Sequence, residues 1–186
     1  EAMYLISIYF DEKTEKIMQG YINQVAKVTG NTFMLDGNIP PHITVLGFQG
    51  KDEQELIETF DKHIDNIRNI GNTKENKLYF GSLGVLKGQV IYAQPVLNEY
   101  LHELSQMVYD VFGNVDGIEF SPFYKPFSWL PHMSIGKHLN EKQMEEAFKT
   151  LVKNFVPMEA AVTRIGVAKT NPHRDIKVYE LKRNEQ

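Results

Sequence analysis

Two short stretches of this 186-residue chain carry residue types that could move protons. Pro41-His42-Ile43-Thr44-Val45 and Pro131-His132-Met133-Ser134-Ile135 share one pattern: proline, histidine, an apolar residue, a hydroxyl residue, a β-branched residue. Their histidines lie 132 − 42 = 90 positions apart, close to half the chain. Both stretches read as strand beginnings, and alternate residues of a strand face the same side. Each imidazole should therefore share a face with the hydroxyl two residues on. Brought to one cleft, the two units would combine two groups that titrate near neutrality with two hydroxyl donors. That set suits phosphate chemistry.

The elements that must position these residues follow the same order twice. Met3–Phe10 is short, apolar and β-branched or aromatic, and reads as a buried strand. Asp11 can cap a helix whose apolar positions are Ile17, Tyr21, Val25 and Val28, stopped at Gly30-Asn31. Thr32–Leu35 reads as a short strand, and Ile39-Pro40-Pro41 as an extended approach to the strand His42–Phe48. Asp52 and Glu55 have capping-box spacing ahead of the stripe Leu56, Phe60, Ile64, Ile67, with Gly71-Asn72 ending that helix. Lys77–Leu86 is a strand, and Lys87-Gly88 a turn. The second pass begins with the strand Gln89–Gln94 and the helical stripe Leu97, Leu101, Leu104, Val108, Val111. A long aromatic connection, Val115 to Leu130, leads to the second Pro-His unit. Asn140 and Gln143 can form a capping box for the stripe Met144, Phe148, Leu151, Phe155, stopped by Pro157. Glu159–Ala168 and Ile176–Leu181 read as closing strands around Asn171-Pro172, and Arg183–Gln186 as a polar tail. This internal repetition predicts an α+β (bilobal α/β) fold. Two pseudo-symmetric lobes, each a small mainly antiparallel sheet backed by helices, should enclose a central groove. The expected domain is single and spans 3–183, with lobes of roughly 3–87 and 88–183 that are free to exchange elements. Glu1-Ala2 ahead of Met3 read as a remnant of expression.

Composition narrows the chemistry. There is no cysteine, so disulfides, thiolate nucleophiles and cysteine-ligated metals are excluded. A net charge of −4 argues against a surface that tracks extended duplex nucleic acid. No apolar run approaches the roughly 20 residues that span a bilayer, and the first residues lack a signal-peptide pattern, so none is expected. A cytoplasmic, monomeric protein without membrane contact is the expectation. Neither motif histidine has an Asp or Glu beside it, and there is no HExxH, so no metal site and no cofactor are expected.

With its two His-x-Thr/Ser units, His42-Ile43-Thr44 and His132-Met133-Ser134, in equivalent places of a repeated chain, the sequence resembles the two-histidine phosphoesterase superfamily. Within it, the sequence is similar to the 2′-5′ RNA ligase-like (LigT-type) cyclic phosphodiesterases. One His-x-Thr means nothing by itself; two, each after proline, are specific. The segment after the first motif, Val45-Leu46-Gly47-Phe48, departs from the family's Phe-Leu-Gly, and Lys137 stands near where an arginine is common. The resemblance implies a metal-independent phosphoesterase acting on 2′,3′-cyclic phosphate or 2′-5′ phosphodiester bonds of RNA ends or nucleotides, reversible as a 2′-5′ RNA ligase. His42 and His132 would be general acid and base in either assignment, with Thr44 and Ser134 holding the phosphate oxygens. Lys137 and Trp129 are candidate substrate-binding residues, the first by charge and the second by stacking on a base. Two alternatives stand: an RNA-end or nucleotide-binding module without turnover, and the same chemistry on a non-RNA cyclic phosphate. Taken singly, each motif histidine would be an ordinary structural residue; the repeated setting reverses that. His63 and His102 read as solvated helix positions, His138 as a residue at the groove's edge at most, and His173 as surface. The aromatics of 120–129 are equally suited to a satellite core.

Overall fold

The computed structural model describes residues 2–50, 52–86, 89–170 and 172–182. Its first strand, β1 (Ala2–Phe10), leads into helix α1 (Glu12–Thr29). Asp11 caps α1 by accepting from Thr14 N and also accepts from Ala161 N, so one carboxylate starts a helix and pins it to a distant strand. Gly30 ends α1 at φ 70°, a left-handed position that suits glycine, with its N–H donating to Ala26 O.

Residues 32–35, expected as a strand, instead lie in a helical turn, α2 (Phe33–Asp36). Side chains decide this: Asn31 Oδ1 accepts from Phe33 N, and the Thr32 hydroxyl donates to Asp36 at 2.7 Å. Such local bonds give the backbone an alternative to a ladder. β2 (Ile43–Gly50), α3 (Glu53–Thr73) and β3 (Lys77–Leu86) complete the first half. Asp52 accepts from Gln54 N and Glu55 N, and α3 runs two residues past Gly71. The expected turn at Lys87-Gly88 and the polar tail Arg183–Gln186 lie outside the described residues, as does Asn171.

The second half runs β4 (Val90–Pro95), α4 (Glu99–Phe112), β5 (Glu119–Phe120), a 3-10 turn (Pro122–Tyr124) and β6 (Met133–Gly136). It closes with α5 (Glu141–Asn154), β7 (Met158–Lys169) and β8 (Arg174–Glu180). Asn140 and Gln143 form the complete capping box on α5. The buried face of α5 is rotated from the expected stripe. Ala147 and Leu151 are buried whereas Phe148 is 44% exposed, because α5 packs on α1 and the small Ala147 permits that approach.

The sheet order is β5-β2-β1-β7-β3-β4-β6, with β8 on β7, and every pair is antiparallel. Elements are exchanged between the halves in a reciprocal way. β3 leaves the first half to pair with β4, and β7 leaves the second half to pair with β1. The helices cross as well: α1 packs against β6 and α5, while α4 packs against β2 and α3. Thus each motif strand is backed by a helix from the other half. Between these layers Phe10, Phe48, Phe60, Phe80 and Phe112 are fully buried. Phe112 lies 5.0 Å from Phe60 and 6.2 Å from Phe48, centroid to centroid, spacings at which aromatic pairs attract beyond their area burial.

Candidate active site

His42 and His132 each stand one residue ahead of a strand, β2 and β6. Each follows a buried proline, Pro41 or Pro131, which keeps the residue before it extended. Both rings fold back on their own chain: His42 Nδ1 lies 2.7 Å from Pro40 O, and His132 Nδ1 lies 2.8 Å from Leu130 O. A carbonyl can only accept, so Nδ1 carries the hydrogen in both. Nε2 is left in both rings without a protein partner among the described residues.

The strands continue in parallel fashion. In β2, Thr44 faces Ser7 and Leu46 faces Ile6, so Val45 is an extra residue. In β6, Ser134 faces Tyr92 and Gly136 faces Ile91, so Ile135 is extra. Both motifs thus carry a β-bulge directly after the hydroxyl residue, 90 positions apart. A bulge resets the alternation of faces. Thr44 therefore looks away from the core while Val45 and Leu46 are both buried in it. Gly47 then leaves room for Tyr124, whose ring would meet a Cβ there at 2.8 Å. Gly84 does the same for Tyr92, which stands edge-on to His132 with centroids 5.3 Å apart.

One cavity of about 520 Å³ brings the two motifs together. His42, Thr44, His132, Ser134 and Lys137 line it, with Tyr124, His138 and His173. Its size is within the range of small-molecule sites, about 300–1,000 Å³. Trp129 is not on its wall. It lines an adjoining apolar cavity of about 540 Å³ with Phe123 and Leu130, and Leu5, Tyr124 and His132 are common to both. Trp129 Nε1 donates to Thr44 O at 3.2 Å, so the aromatic connection is tied to the first motif strand. Phe120, Tyr124 and Trp129 pack against the core, whereas Phe123 and Phe127 are exposed.

Burial and charge set the protonation of the cavity. His42 is 6% exposed. Desolvation drives its imidazole down to about 4, and Lys137, His173 and His132 push the same way against the Pro40 hydrogen bond. His132, partly exposed, is lowered by desolvation and by Lys137. Desolvation also lowers the Lys137 ammonium. Burial raises the Tyr124 phenol, offset in part by a hydrogen bond from Thr44. Near neutral pH burial therefore favours the neutral form of His42 and His132, which stand beside hydroxyls and Lys137. Among the described residues no group of three or more His, Asp or Glu side chains is arranged to hold a metal ion. No helix among them is long and apolar enough to cross a membrane.

Three cavity residues escape a motif-led reading. Tyr124 sits in the aromatic connection with no signal beyond its type. His138 reaches the cavity from a left-handed turn after β6 (φ 55°), its ring 4.1 Å from that of Phe33. His173, expected on the surface, lines the cavity, and its side chain is only 9% exposed. A signal for it did exist: Pro172-His173 is a third Pro-His pair, with Asp175 in the place that Thr44 and Ser134 hold in the other two.

No curated protein matches the chain in sequence. Among solved structures, one described as a phosphoesterase superposes with a TM-score of 0.54 at 13% identity, covering 98% of this chain and 100% of that one. E. coli LigT complexed with 3′-AMP superposes with a TM-score of 0.51 at 12% identity, covering 98% of each chain. At such identities these likenesses establish the fold. The family model described as the 2′-5′ RNA ligase superfamily matches residues 20–174, most of the chain, and the chain belongs to that superfamily.

Proposed function

We propose that this protein is a phosphoesterase that hydrolyses 2′,3′-cyclic phosphate or 2′-5′ phosphodiester bonds of nucleotides or RNA ends without a metal, and that it can run the step in reverse as a ligase. The observation that carries this is the matched pair of imidazoles. Each spends Nδ1 on the carbonyl two residues back, each has a hydroxyl two residues on, and both line one cavity. His42, kept neutral by burial, is the base: its Nε2 takes a proton from water as the oxygen attacks phosphorus. His132, less buried, is the acid: its protonated form, with Nδ1–H held by Leu130 O, passes the Nε2 proton to the departing ribose oxygen. Placing the two on opposite sides of phosphorus suits in-line displacement. Thr44 and Ser134 hydroxyls donate to the non-bridging oxygens, and Lys137 balances their charge. The adjoining apolar cavity, with Trp129 on its wall, takes a base by stacking. The 3′-AMP bound by the structurally similar LigT supports a nucleotide as the ligand.

The test is a substrate panel with EDTA present: 2′,3′-cyclic nucleotides, RNA ending in a cyclic phosphate, and 2′-5′ dinucleotides. Hydrolysis should persist on chelation. His42→Ala and His132→Ala should each lower kcat by roughly 10²–10⁴-fold, the usual worth of one acid or base, while circular dichroism shows the fold retained. Binding of 3′-AMP without turnover on any substrate would make the protein a nucleotide-binding module instead.

A further inference from the structure

The cavity contains more imidazole than a two-histidine mechanism uses. Of the extra rings, His138 is exposed and packs on Phe33. His173 is different: it is nearly buried, it belongs to the cavity wall, and its ring lies 6.2 Å from that of His42. Its Nε2 meets Asp175 Oδ1 at 2.9 Å. A carboxylate can only accept, so Nε2 carries the hydrogen and Nδ1 is the other ring nitrogen. No described protein group bonds His173 Nδ1.

The residues behind His173 fix it in place. The Tyr9 hydroxyl donates to the same Asp175 oxygen at 3.4 Å. The Arg164 guanidinium lies over the Tyr9 ring, 5.4 Å from its centroid, and pairs with Glu15. The backbone N–H of His173 donates to Gly37 O at 3.3 Å. Side chains from α1, β1, β7 and β8 thus orient a ring that then presents an unpartnered nitrogen. The cavity wall is rich in groups that can donate to an anion. Lys137, the imidazoles and the Thr44 and Ser134 hydroxyls line it, and among the described residues Asp36 is its one lining carboxylate, occupied by the Thr32 hydroxyl.

We propose that His173 is a third imidazole of the site, whose Nδ1–H donates to a non-bridging oxygen of the bound phosphate while Asp175 holds the ring from the other side. This rests on the phosphoesterase reading above. To donate from both nitrogens the ring takes up one proton from solvent as the phosphate binds, and the imidazolium then lies between two anions, the arrangement that makes a charge-assisted hydrogen bond short and strong. His173 binds and steadies the phosphate for His42 and His132. Asp175 and Tyr9 are positioning residues that act through it.

The test follows the imidazole nitrogens of the full chain by long-range ¹H–¹⁵N NMR as inorganic phosphate, then 3′-AMP, is added. The His173 Nδ1 resonance should make the large move from the bare to the protonated position on binding, while Nε2, protonated throughout, moves far less. His173→Ala should weaken phosphate binding roughly 10–100-fold, the range expected for one hydrogen bond to a charged group. His173→Asn, whose amide can occupy the place of Nδ1, should recover part of that loss and guards against a merely unfolded Ala variant. Shifts at His42 and His132 with a silent His173, or an Ala variant that binds phosphate as the wild type does, would overturn the assignment alone. Silence at all three rings, with no hydrolysis of the panel, would overturn the phosphoesterase reading and this assignment with it.

Discussion

The burial of His42 has a thermodynamic consequence that can be measured without any substrate. Its imidazole is held at about 4 in the folded protein, whereas an imidazole in an unfolded chain titrates near 6.5. Well above pH 6.5 both states hold the ring neutral and it contributes nothing to the pH dependence. As pH falls from there toward 4, the unfolded chain takes up a proton that the folded protein refuses, so stability is lost. Integrating that difference gives a loss of about 2 kcal/mol between pH 7.5 and pH 5 from this one residue. His42→Asn removes the titration while keeping an N–H within reach of the Pro40 carbonyl. Urea unfolding of both proteins at the two pH values isolates the effect, since the other groups titrate alike in each. The wild type should lose about 2 kcal/mol more than the variant. Parallel losses would show that His42 is hydrated or paired in the folded state, and would remove the reason for assigning it as the base.

The same shifts predict the rate profile. A base must be neutral and an acid protonated, and both imidazoles are lowered. Hydrolysis should therefore be bell-shaped with its maximum on the acid side of the ordinary imidazole value. A maximum in alkaline solution would count against the pair. Gly84→Ala places a Cβ against the Tyr92 ring that flanks His132. Steady-state kinetics should show kcat falling several-fold, with His132 displaced; unchanged kcat would mean that Tyr92 gives no support. Trp129→Phe removes the bond to Thr44 O, a loss of about 1 kcal/mol that should appear as a lower urea midpoint. If the indole stacks on a base, the KM for a nucleotide should change little, because the aromatic face remains.

Much of this architecture is legible residue by residue. The caps at Asp11, Asp52 and Asn140 accept from backbone N–H groups within three residues, so they are read within one turn. The stripe of α3 is buried where its spacing places it, at Leu56, Phe60, Ile64 and Ile67. Where the reading failed, the competing interaction was also specific. Asn31 and Thr32 close a helical turn at residues expected to be extended. In α5 the small Ala147 takes the buried face from Phe148.

The sequence by itself determined which imidazoles and hydroxyls share a face, because that depends only on strand alternation and on a proline before each histidine. It did not determine how the strands are shared. The exchange of β3 and β7 between halves depends on pairings such as Ile6 with Val167, which no local pattern encodes. Tertiary structure alone decided that Lys137 sits close enough to lower both histidines, and that His173, 173 − 42 = 131 residues from His42, faces the same cavity. The physical reason is one of range. Caps, turns and face alternation are set by neighbours a few residues apart, whereas burial, charge proximity and access to a cavity depend on which distant segments pack together.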